Sequence, residues 1–103
     1  MTAERAALLA DADRALAAQD FPRAATLFEE AAKDGADPSV LLRLAGAHRA
    51  CGRPRVALDA VHRALAIAPR DFTALMLRAN LLERMGDANA GEAWGHAIAQ
   101  KPD

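Results

Sequence analysis

The sequence predicts an all-α chain of stacked helix-turn-helix units, and three observations carry that reading. Alanine fills more than a quarter of the 103 positions, and only Phe21, Phe28, Phe72 and Trp94 are aromatic, a composition suited to helices packed closely on helices. Apolar residues recur three and four positions apart, as on one face of a helix, between turn signals built from Gly, Pro and Asp. The pattern also repeats: Ala24, Ala57 and Ala90 are 33 residues apart, as are Phe28, Val61 and Trp94, and Ala31, Ala64 and Ala97. A chance pattern does not hold at three positions in three places.

Taken in order, the elements fall near 3 to 18, 21 to 33, 38 to 51, 54 to 67, 72 to 85 and 88 to 100. Thr2 is the expected cap of the first helix, whose inner stripe is Leu8, Ala12 and Ala15; Asp11 makes this helix polar where the third has Leu44, which suits the end of an array. Asp20 caps the second helix, Pro22 sits in its first turn, Ala24, Phe28 and Ala31 form its stripe, and Gly35 ends it. Asp37 and Pro38 open the third, with Leu41, Leu44, Ala45 and His48 inward; Gly52 and Pro54 turn the chain into the fourth, with Ala57, Val61 and Ala64 inward. Asp71 caps the fifth, which buries Leu75, Ala79 and Leu82 before Gly86, and Asp87 is the expected cap of the sixth, which carries Ala90, Trp94 and Ala97. Gly91 and Gly95, four apart on that helix, are expected to permit close packing.

The central unit, Leu41-x-x-Leu44-Ala45-x-x-His48, then Ala57-x-x-x-Val61-x-x-Ala64, then Pro69, resembles the tetratricopeptide repeat pattern W-x2-L-G-x2-Y, A-x3-F, P. The resemblance covers essentially the whole chain. It implies a single domain of three repeats, about 5–37, 38–71 and 72–103, forming a right-handed α-solenoid whose first helices line a concave groove. The family's geometry would then place Ala6, Leu9, Asp13, Leu16 and Ala17 on the groove, followed by Ser39, Leu42, Gly46, Arg49 and Ala50, and by Thr73, Met76, Asn80, Glu83 and Arg84. Its clamp for chaperone C-termini needs lysine, asparagine and basic residues where this chain has Leu9, Asp13, Arg43, Thr73 and Leu77, so that activity is not expected.

These positions define the candidate partner-binding set: Leu9, Asp13, Leu42, Arg49, Met76, Asn80, Glu83 and Arg84. Leu9, Leu42 and Met76 would supply an apolar floor for an amphipathic segment, with Asn80 and Arg49 holding its backbone or a carboxylate. Asn80 is the sharpest of them, because an amide offers donor and acceptor together and is not a favoured residue inside a helix. On the last helix, Trp94 and Ile98 are expected on a face that earlier repeats cover with the next repeat; a downstream domain, a second copy in a weak homodimer or a partner would cover it.

Composition restricts the remaining classes. The net charge of −1 gives no nucleic-acid footprint, although residues 1–37 carry −4, residues 38–71 carry +4 and residues 72–103 carry −1, so that successive repeats are complementary. No apolar run approaches a membrane span, Glu4 and Arg5 break the pattern of a signal peptide, and the single Cys51 cannot form an internal disulfide, which points to the cytoplasm. His48 takes a packing position, His62 and His96 lie on outer faces, and no pair has ligand spacing; no metal, cofactor or catalytic residue is expected. Two function classes remain. One is a protein-interaction module binding a peptide or helix. The other is a repeat domain of a larger enzyme, because Leu82-Glu83-Arg84-Met85-Gly86-Asp87 and Gly91-Glu92-Ala93-Trp94 look like the N-terminal repeats of bacterial aspartyl/asparaginyl β-hydroxylase-like or sulfotransferase-like proteins.

Overall fold

A computed structural model describes residues 3–33 and 37–102. Six helices follow one another: α1 (Ala3–Ala17), α2 (Phe21–Ala32), α3 (Pro38–Ala50), α4 (Pro54–Ile67), α5 (Phe72–Arg84) and α6 (Ala90–Ala99), with no strand among the described residues. They pair as antiparallel hairpins and stack as a right-handed α-solenoid 40 Å long and 26 by 23 Å across. The main packing runs between chain neighbours, each helix against the one before and the one after.

Caps set most of the boundaries. The Asp37 carboxylate accepts from the Val40 amide at 3.0 Å, that of Asp71 from Ala74 at 2.9 Å, and that of Asp20 from Arg23 at 3.4 Å, while Pro22, Pro38 and Pro54 occupy first-turn positions where no N–H is missed. Asp87 differs from the expected cap. Its carboxylate accepts from Asn89 N at 2.8 Å, two residues on, and its carbonyl accepts from Ala90 N at 3.1 Å, so the chain closes a tight turn and α6 begins at Ala90. The expected caps at Thr2 and Gly35 lie outside the described residues.

The first helix of every hairpin ends in the same way. Asp20 N bonds Ala15 O at 2.8 Å, Arg53 N bonds His48 O at 2.9 Å and Asp87 N bonds Leu82 O at 2.9 Å, a C-terminal motif that puts the residue just before each donor into the left-handed region. Gly52 and Gly86 accept that conformation at φ +74 and +68, but Gln19 holds the equivalent place at φ 60 and carries a Cβ into it.

The core is alanine threaded with a few large side chains. Phe28, Leu41, Leu44, Val61 and Leu81 are fully buried, with Ala12, Ala24, Ala45, Ala57, Ala64 and Ala79 packed between the helices at zero or near-zero exposure. The predicted stripes hold except at Leu8, Leu82, Ala90 and Trp94, which are half-buried. A second stripe was not anticipated. Val40 and Ala47 on α3, and Ala74 and Leu81 at the matching places on α5, are buried as well, with Ala25 and Ala32 on α2 and Ala60 on α4, because the inner helices pack against both the preceding helix and the following one.

Gly91 and Gly95 do not support close packing. A Cβ built on either would meet nothing within 4 Å, and both face solvent on α6. The complementary charges do meet: Arg43 pairs with Asp13 at 3.0 Å and Arg63 with Glu29 at 3.1 Å, each joining the basic central repeat to the acidic first one. All four side chains are about half exposed, so these pairs contribute little stability and mainly set register. Asp11, which made α1 polar, is likewise partly exposed and pairs with Arg14.

Two outcomes are expected of the scaffold. Replacing Gln19→Gly relieves the left-handed strain and raises unfolding free energy by about 1 kcal/mol, measured by urea denaturation. His48 is buried with Nδ1 lacking a hydrogen-bond partner among the described residues; burial first, then the charge of Arg53, hold its pKa below the usual 6.5, with Glu29 opposing. The folded imidazole is therefore neutral, and its stability contribution is complete above the unfolded value, about 6.5. As pH falls through 6.5 the unfolded chain takes up the proton first, and stability is lost until the folded-state pKa is passed. His48→Leu should remove that component, so its melting temperature falls less than wild type between pH 7.5 and 5.

Candidate functional site

The first helices α3 and α5 lie side by side and leave a pocket of about 420 Å³ on the face they share. From α3 come Leu42, Gly46 and Arg49; from α5 come Thr73, Met76, Leu77 and Asn80; Trp94 reaches in from α6. These positions share one face because Leu42, Gly46 and Arg49, like Thr73, Met76 and Asn80, are spaced three or four apart. A second hollow of about 370 Å³, lined by Ser39, Arg43 and Asp71, shares Leu42 and Thr73 with the first, so the two form one track along the length of α3 and α5.

The track is apolar in its floor and polar at one end. Leu42 and Leu77 are half-buried and packed against the core, while Met76 keeps 39% of its surface in water. Gly46 has nothing within 4 Å of where a Cβ would stand, so it widens the floor between Leu42 and Arg49. At the polar end Arg49 Nη1 donates to Asn80 Oδ1 at 3.1 Å across the repeat boundary. That bond leaves both Nδ2 hydrogens of Asn80 and four of the five guanidinium donors outside it. The Trp94 indole Nε1 donates to Glu83 Oε2 at 2.8 Å, which fixes one edge of the ring against α5.

Of the residues singled out from sequence, Leu42, Arg49, Met76 and Asn80 therefore come together around one pocket, joined by Ser39, Gly46 and Thr73 along the same track. Leu9 does not line it: this side chain packs against the core as a partly buried filler. Asp13 is turned to Arg43, Glu83 is engaged by Trp94, and Arg84 is exposed and outside both hollows. Arg49 and Asn80, expected to hold a partner's backbone or a carboxylate, also hold each other. Sequence reasoning missed Leu77 and Trp94 as lining residues. The available signal for Trp94 was its size, since an indole on a helix next to the groove spans farther than the aliphatic residue at the same place in the preceding repeat.

Elsewhere, a hollow of about 360 Å³ brings His62, His96 and Arg78 together on α4, α5 and α6, with Arg78 Nη2 3.3 Å from His96 Nδ1. Among the described residues no three His, Cys, Asp or Glu side chains gather as a metal site, and no helix is long and apolar enough to cross a membrane. Cys51 is half-buried at the end of α3.

Comparison with known proteins agrees with the repeat fold. The profile of the tetratricopeptide repeat family matches residues 15–81. The crystal structure of the Sgt2 TPR domain from Aspergillus fumigatus superposes with a TM-score of 0.84 at 25% identity, over 96% of this chain and 67% of that one. No curated protein matches the chain. These matches carry the repeat assignment and lend nothing to the looser likeness to hydroxylase-like or sulfotransferase-like proteins. The family typically mediates protein–protein interaction. With six helices in stacked hairpins and a family profile spanning most of their length, the chain belongs to the tetratricopeptide repeat family.

Proposed function

We propose that residues 5–37, 38–71 and 72–103 form one domain of three repeats that binds a peptide or helix of a protein partner in the α3–α5 groove and performs no chemistry of its own. The observation that carries this reading is the pocket between Leu42, Met76, Leu77 and Trp94, an apolar floor with the Arg49–Asn80 pair at its end. Recognition in such a groove draws its affinity from burying apolar side chains and its register from a few polar groups. For a partner recovered by affinity capture, Leu42→Ala and Asn80→Ala should each weaken binding by about fivefold or more, with the circular dichroism spectrum unchanged. A chemical-shift map that puts the bound partner among His62, Arg63 and Arg70 instead would overturn the assignment.

A second reading is favoured by the exposed face of α6. Trp94 is only half-buried where Phe28 and Val61, its counterparts in the earlier repeats, are fully buried, and Ile98 is 66% exposed. Open space over Gly91 and Gly95 leaves room for another helix to approach α6. A second copy of the chain can cover this face by a two-fold pairing of α6 with α6. Sedimentation of wild type over a wide concentration range should show reversible dimers that Ile98→Glu abolishes; a strictly monomeric wild type removes this reading.

A further inference from the structure

Three arginines tie one repeat to another, and one of them lacks a counter-charge. Arg43 meets the Asp13 carboxylate and Arg63 meets that of Glu29, whereas Arg49 meets only the neutral amide oxygen of Asn80. Among the described residues no carboxylate oxygen lies within 4 Å of Arg49. The natural candidate is Glu83, because it follows Arg49 by 34 positions, the spacing at which Glu29 and Arg63 meet. Glu83 is held instead by the Trp94 indole at 2.8 Å. Arg49 is also half-buried beside an apolar pocket, where a cation interacts with an anion more strongly than it does in water. The central repeat, which supplies one wall of the groove, carries a net charge of +4 in a chain whose total is −1.

Given the groove as the binding face, the charge distribution says what should enter it. We propose that the ligand is a peptide segment with an aspartate or glutamate side chain close to a large apolar side chain. The apolar group fills the space of about 420 Å³ between Leu42, Met76, Leu77 and Trp94, and the carboxylate pairs with Arg49 beside Asn80. Gly46 matters to this arrangement because any larger side chain there would stand between the two subsites on α3. A guanidinium with four donors outside its bond to Asn80 can take a carboxylate with two parallel hydrogen bonds, which selects an acid over an amide of the same shape.

The test is selection of random dodecapeptides displayed as internal segments, which offer no chain-terminal carboxylate. On wild-type protein the recovered peptides should be enriched in Asp or Glu beside Leu, Met or Phe. Capped synthetic copies should lose about tenfold in affinity on Glu→Gln exchange, read from the single tryptophan or by calorimetry. With Arg49→Gln protein the acidic and amide peptides should bind equally; with Arg49→Lys much of the preference should return, which shows that the charge and not a folding defect is responsible. Peptides recovered without acidic residues, or an acidic preference that survives Arg49→Gln, would overturn this inference and leave the groove intact, provided Leu42→Ala still weakens them. Failure to recover any peptide, or peptides indifferent to Leu42→Ala, would remove the groove reading and this inference with it.

Discussion

Because most of the buried side chains are alanine, no helix can remove much apolar surface from water against one partner alone. Burying an alanine side chain contributes about 0.8 kcal/mol, less than half of what a leucine supplies. The chain compensates by proximity and by number. Alanine lets neighbouring backbones come close, and α3 and α5 are used on two sides, with Val40, Ala47, Ala74 and Leu81 adding a second buried stripe. Phe28, Leu44 and Val61 then act as the large pieces around which the small ones close. Stability in such an array is a sum over neighbours, so each repeat depends on the next.

The groove is a by-product of the same constraint. With two faces of α3 and α5 used in packing, the face they share is left to line the groove, and here it carries Leu42, Gly46, Arg49, Met76 and Asn80. Their positions are precise because they stand on packed helices and not on loops. The polar cross-ties serve the same end: Asp13–Arg43, Glu29–Arg63 and Arg49–Asn80 each span about one repeat and fix how one hairpin is rotated on the next.

Much of this was legible in the sequence, and the gaps have physical reasons. Periodicity located the helices because their inward stripes are nearly pure alanine and leucine, and Asp20, Asp37 and Asp71 marked starts because an aspartate before a helix has one main use. Asp87 misled because the same side chain can also close a two-residue turn, and the choice depends on how Ala88 and Asn89 fold. Gly91 and Gly95 gave a spacing without saying which face of α6 has a neighbour. Leu9 and Met76 occupy matching repeat positions, yet one fills a gap and the other is exposed, since that outcome is set by the adjacent helix and not by the residue. The bond from Arg49 to Asn80 was beyond reach because both side chains were assigned to solvent-facing work, and nothing in their separation shows that each is the other's nearest partner.

Trp94 belongs to two surfaces at once. Its ring forms one wall of the groove, and its helix carries the uncovered face at that end of the array. A molecule that packs on α6 and rotates the indole would also reshape the groove, and would break the hydrogen bond from the indole to the Glu83 carboxylate. Binding at the two surfaces would then be thermodynamically linked through one side chain. Whatever free energy an occupant of one face added to or took from binding at the other would be returned in equal measure in the opposite direction, and a turn of one indole would suffice, without any change in the path of the backbone.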